Sequence, residues 1–143
     1  MRLLRYAWAA PASLAGLLLG AVALAAGARA RRVDGTLEIG GGALGRWAAR
    51  APANLRFGAL TLGHVILGLD EANLLACRAH EHVHVRQYER WGVFFFPAYA
   101  LCSLWELLRG GDWYLDNRFE REARAKSCQG SGENPPARSA ARR

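Results

Sequence analysis

His80, Glu81 and His84 stand in the run AHEHVHVRQYERW at residues 79–91, in the order H-E-x-x-H. On an α-helix four residues turn through about 400° and rise about 6 Å, so the two imidazoles lie one above the other, close enough to share an ion. Glu81 stands one step around from them. Zinc-dependent hydrolysis needs this arrangement: two neutral imidazoles on the metal and a carboxylate beside it to take a proton from an activated water. The polar face of an amphipathic helix can present histidines at this spacing by chance. Here three specified residues, two of them of an uncommon type, coincide on a segment that reads independently as helix.

The signals for that helix are local. Asp70 is a natural N-cap, Glu71 suits the positive end of the helix dipole, and Gly92 supplies the stop, which predicts a helix over residues 71–91. Leu74, Leu75, Cys77 and Ala79 feed its buried side. His80, His84, Gln87 and Trp91 follow at steps of four, three and four, one stripe along which the amide of Gln87 can orient a ligand from behind. Cys77 precedes His80 by three and shares its face, but reads as a small apolar core residue. His64 falls in a strand-like stretch and reads as a histidine satisfied by backbone or water, not as a ligand.

Around this helix the elements are shorter. Residues 35–39 alternate apolar and polar as a half-buried strand does, and Gly40, Gly41 and Gly42 end it in a turn. Residues 43–55 are ambiguous; Leu44, Trp47 and Ala48 make a short helical face that Pro52 would stop. The run LRFGALTLGHVILGL at residues 55–69 predicts one or two strands with a bulge or bend at Gly63. Residues 92–108 form a second apolar stretch of 17 residues containing Pro97 and Glu106, too short and too interrupted for a crossing helix. It reads as the core partner of the histidine helix, with Phe94, Phe95 and Phe96 near a lipid interface. A turn at residues 109–112 leads to a last helix over residues 116–126, and the polar, proline-containing remainder reads as a disordered basic tail. The division expected is a membrane segment at 1–30, a domain at 31–126 and a tail at 127–143.

Two imidazoles leave a catalytic zinc one protein ligand short. The downstream candidates are Glu106, Asp112, Asp116, Glu120 and Glu122, with Cys128 more remote. The run HEHVHVRQYERWG followed by DNRFEREA resembles the small bacterial zincins, metallopeptidase-type domains of gluzincin arrangement. In these an H-E-x-x-H helix is followed by a second helix that donates a Glu from an E-x-x-A pattern. More narrowly, residues 59–125 are similar to a group of short, membrane-associated bacterial proteins of unestablished activity. The resemblance implies an α+β zincin-like minimal domain, a small antiparallel sheet with the H-E-x-x-H helix and following helices, and a Zn2+ cofactor. By position it makes His80, His84 and Glu120 the metal ligands and Glu81 the catalytic base. It also implies an extended peptide along the strand at residues 60–66. Asn117 is a second supporting residue, and Asn117-x-x-Glu120 reads equally as a capping box that would turn Glu120 back on the backbone. Glu122 is the rival ligand. Tyr88, Tyr114 and His82 are possible donors to a transition state.

Composition bounds the setting. The chain has 143 residues and a formal charge of +7, its arginines bracketing apolar sequence without any nucleic-acid-binding motif, which argues for an anionic membrane surface and against nucleic acid. Residues 6–28 carry no charge; 23 residues at 1.5 Å each reach about 34 Å, enough to cross a bilayer as a single-pass anchor. The excess of arginine after this segment leans the domain to the cytoplasmic side. A cleaved export signal ending at Ala28-Arg29-Ala30 is the competing expectation. Cys77, Cys102 and Cys128 are too few for a disulfide framework. The expectation is a membrane-anchored zinc metallopeptidase acting on peptide or protein substrates; the alternative is a catalytically inactive zincin-fold scaffolding module.

Overall fold

The computed structural model describes residues 2–50 and 58–131. An N-terminal helix α1 (Arg2–Ala25) is followed by strands β1 (Arg29–Val33) and β2 (Thr36–Gly40), then by a short helix α2 (Gly42–Ala49). After strands β3 (Ala59–Leu62) and β4 (Val65–Gly68) come the helices α3 (Glu71–Trp91), α4 (Phe95–Leu108) and α5 (Arg118–Ser131), with one 3-10 turn at Gly92–Phe94 joining α3 to α4. The expected helix stop at Pro52 and most of the expected tail lie outside the described residues, and α5 continues to Ser131, past the expected boundary at 126.

The architecture is α+β. The four strands form one sheet in the order β1-β2-β4-β3. β1 and β2 are a hairpin whose turn residues Asp34 and Gly35 both take positive φ, 46° and 84°, as a two-residue turn matched to strand twist requires. Gly63, at φ 62°, makes the β3–β4 turn, so the predicted bend is a hairpin. The sheet is mixed, which corrects the expectation of an antiparallel one: β2 and β4 pair in parallel, Leu37 opposite Val65 and Ile39 opposite Leu67. The chain leaves β2 through α2 and returns by β3, so the second hairpin docks with β4 inside and β3 at the edge.

Strand alternation gives the sheet two different faces. Leu62, Val65 and Ile39 meet α1, where a Cβ added to Gly16 would lie 2.7 Å from Val65 Cβ and one added to Gly20 would lie 2.4 Å from Ile39 Cδ1. Thr61, Ile66 and Glu38 meet α3, through Glu81, through Leu74 and Val85, and through Arg78 respectively. The sheet is thus sandwiched between α1 and α3. The expected division at residue 30 falls inside β1, and α1 packs along the sheet. Beyond the sheet, α1 meets the end of α3 and the later helices in a core of Ala9, Ala12, Tyr88, Phe95 and Phe119.

α3 forms as its capping residues predict. Asp70 takes extended backbone and its Oδ1 accepts from Asn73 N at 2.8 Å, while Gly92, at φ 56°, ends the helix and donates to Tyr88 O. A buried carboxylate on β2 fixes its height on the sheet: Glu38 accepts from Arg78 Nε and Nη2 at 2.7 and 2.8 Å. This bidentate pair lies half a turn before His80, so it sets where the histidines stand.

Candidate metal centre

His80 and His84 project from α3 toward the first turn of α5. Their Nε2 atoms are 3.1 Å apart. Glu120 of α5 straddles them, Oε2 at 3.2 Å from His80 Nε2 and Oε1 at 3.3 Å from His84 Nε2. One donor atom from each residue lies within 4.8 Å of the others, and the three side chains could hold a metal ion. Bonds of 2.0–2.1 Å at tetrahedral angles place ligand atoms about 3.3 Å apart, so the spacing matches the edges of a zinc site.

The hydrogen bonds behind the donors fix which atoms face inward. Gln87 Nε2 donates to Phe119 O at 3.1 Å and to Glu122 Oε2 at 3.0 Å, which leaves Gln87 Oε1 as an acceptor at 2.8 Å from His84 Nδ1. His84 Nδ1 therefore carries the proton, and in the neutral ring the Nε2 lone pair points at a carboxylate. Two centres of negative potential face each other at a buried site, an arrangement that a cation between them resolves. Among the described residues, Glu120 Oε2 is buried with no partner beyond the close His80 Nε2, which leaves it available to a metal. The donor set, two imidazoles and a carboxylate, suits a divalent transition-metal ion.

The electrostatics agree. Burial opposes ionisation of Glu120, but the two imidazoles beside it hold the carboxyl well below the usual carboxylate range. Burial lowers the pKa of His84, and the Glu120 carboxylate, with smaller help from Glu81 and Gln87, more than reverses this. Burial, then the charge of Glu120, raises the phenols of Tyr99 and Tyr114, which stay protonated at neutral pH. The Tyr99 hydroxyl donates to Glu120 Oε1 at 2.9 Å.

Glu81 is buried one step around α3 and lines the same cavity as the three donors. Thr61 Oγ1 of β3 donates to Glu81 Oε2 at 2.6 Å. The cavity has a volume of about 190 Å³ and is lined by His80, Glu81, His84 and Glu120 together with Leu60, Phe96 and Trp113. It is small beside ordinary ligand pockets of about 300–1,000 Å³, room for a water and one side chain rather than for a whole substrate.

Other candidates are placed elsewhere. Glu122 is held by Gln87 and Lys126. Asp112 Oδ1 accepts from the Tyr114 and Leu115 amides, and Asp116 Oδ2 from the Asp112 amide, so both shape the loop before α5. The capping-box reading of Glu120 does not hold: Asn117 Oδ1 caps the helix by accepting from Phe119 N at 2.9 Å, while Glu120 turns to the histidines. Asn117 touches neither imidazole; its Nδ2 donates to Tyr99 O and Ser103 Oγ, tying α5 to α4. Among the possible donors, Tyr88 and Tyr114 line the cavity. His82 does not, and the charges acting on it are those of Asp34, Glu38, Arg86 and Arg78. Cys77 is outside the cluster, its thiol pushed up by burial and by Glu81. His64 stacks on Tyr6 and lies 3.3 Å from Glu89 Oε1, away from the site. Thr61 and Tyr99 carry no sequence pattern that marks them, since each reaches its partner across about twenty residues of chain.

Comparison of the chain with protein-family models, curated proteins and solved structures finds no match.

Proposed function

We propose that this protein is a zinc-dependent hydrolase of peptide bonds, with His80, His84 and Glu120 holding the metal and Glu81 acting as general base. The observation that carries the reading is the convergence, among the described residues, of three protein donors, not four, at the wall of a cavity. Structural zinc sites are closed by four protein ligands, whereas catalytic ones keep a position open. A zinc ion held there supplies Lewis acidity to a water and to the scissile carbonyl.

The chain's own groups do the rest. Thr61 occupies one oxygen of Glu81, so the other receives the proton of the attacking water and passes it to the leaving amine. Tyr114, kept protonated by burial, is the hydroxyl we assign to the charge that develops on the carbonyl oxygen. Leu60, Phe96 and Trp113, all exposed, rim the cavity and favour an apolar substrate side chain. β3 is an edge strand and lends Leu60 and Thr61 to the cavity wall, so an extended peptide paired to it would pass beside Glu81.

The test is a pair of measurements on the purified full chain: zinc content, and cleavage of a panel of apolar fluorogenic peptides. Glu81→Gln is expected to retain one zinc per chain and to lose at least about 100-fold in kcat, the scale of a general-base contribution. Undiminished cleavage by this variant removes Glu81 from the role, and a wild-type chain that binds zinc yet cleaves no peptide favours a scaffolding module.

A further inference from the structure

α1 has two faces that require different surroundings. One, with Ala9, Ala12, Gly16 and Gly20, is buried against the sheet and the end of α3. The other exposes Leu4, Leu14, Leu18 and Val22. The segment Leu4–Ala25 is long and apolar enough to cross a membrane. Its apolar surface does not stop at the helix, because the Trp8 ring lies 6.1 Å from that of Phe94, and both are exposed.

Strand register decides how such a surface can meet lipid. Gly16 packs on Val65 and Gly20 on Ile39. Val65 is opposite Leu37, Leu37 is opposite Arg32, and Ile39 is opposite Ala30. Arg31 and Arg32 thus stand level with the middle of α1, and both are exposed. β1 is also an edge of the sheet, with one row of its backbone groups unpaired by any strand among the described residues. Were α1 to cross a bilayer with the fold intact, these arginines and this edge would stand at the depth of the hydrocarbon. Charges are costly there, and open sheet edges find no partners.

We propose that α1 is a fixed outer layer of the fold and lies along a membrane interface. Its exposed leucines, with Trp8 and Phe94, then enter one leaflet, and the protein sits on a lipid surface without crossing it. A helix can be held flat in the interface by one apolar face; in α1 the opposite face is covered by the sheet, and the formal charge of +7 favours anionic headgroups. Nothing in this inference depends on the metal centre, and its test reads neither zinc nor catalysis.

The test uses the full chain with Cys77, Cys102 and Cys128 replaced by serine and single cysteines introduced as Arg2→Cys or Arg46→Cys. Spheroplasts of the expressing bacterium are treated with a membrane-impermeant maleimide. A helix lying in the interface keeps both positions on one side, so they label together, or are protected together until detergent is added. Labelling of one with protection of the other overturns the proposal. So does recovery of the chain from the soluble fraction, or a mass showing that α1 has been removed. A second measurement tests the packing itself: Gly20→Leu drives a side chain into Ile39 and should lower the melting temperature of the purified chain by more than about 4 °C. An unchanged melting temperature would mean that α1 is detached from the sheet.

Discussion

Gln87 decides which nitrogen of His84 is free to bind. Its amide is held by two acceptors on α5, so its oxygen must face His84 Nδ1, and the imidazole is locked with Nε2 toward Glu120 and His80. Groups that orient a metal-binding histidine in this way are typically worth about 10–100-fold in metal affinity. Gln87→Ala should therefore weaken zinc binding by that factor, read by competition with a chromophoric chelator, while one zinc per chain still binds at saturation. An unaltered affinity would mean that the Gln87 contact only packs α3 against α5. The residues nearest the chemistry differ in how visible they are in sequence. His80, Glu81 and His84 are legible because a helix converts their spacing directly into a shared face. Glu120 is reached through resemblance to an E-x-x-A pattern. Thr61 and Tyr99 are silent, because a hydroxyl that meets a carboxylate from another element leaves no periodicity behind.

At the scale of elements, the two helices that carry the centre are capped by side chains with different duties. Asp70 caps α3 in an exposed position and its contacts are local. Asn117 caps α5 while fully buried, and also binds Tyr99 O and Ser103 of α4. Loss of either cap should cost about 1 kcal/mol. Asn117→Ala also removes the hydrogen bonds to Tyr99 O and Ser103 Oγ, for a total of about 2–4 kcal/mol. The stronger expectation is a contrast in function: Asp70→Ala should lower the denaturation midpoint and leave zinc affinity intact, while Asn117→Ala should lower both, because Glu120 rides on the first turn of α5. Denaturant titration and zinc competition on the two variants check this, and equal affinities would show that α5 is placed by its other contacts. α3 is readable end to end because cap, apolar side and terminating glycine are all local. β1 is not, since RARRV reads as a basic flank and becomes a strand only by pairing with β2. The parallel pairing of β2 with β4 is likewise set by docking of two hairpins far apart in the chain, a choice that no local pattern encodes.

For the molecule as a whole, the cluster of His80, His84 and Glu120 links stability to pH. The folded-state pKa of His84 is raised, so its contribution is complete below about pH 6.5 and is lost as pH rises through the folded value. That of Glu120 is lowered from 4.5, so its contribution is present above that pH and lost as pH falls through the folded value. Between these limits a proton on the histidine performs the service of a cation. In chelator, the melting temperature should fall as pH rises above about 6.5; with one equivalent of zinc it should rise over the same range, as the metal replaces the departing proton. Parallel profiles with and without zinc would mean that no ion binds between the imidazoles and Glu120. The sheet beneath carries a further asymmetry. Of its two borders, one is lined by Arg29, Arg31 and Arg32 and the other, Ala59–Leu62, is uncharged. Like charges discourage a second copy from annealing to the first, so any strand recruited by this sheet is channelled to the neutral border. That border is also the sill of the cavity. Whatever docks there, a substrate or a sister molecule, decides in the same event whether the chamber behind it is supplied or sealed.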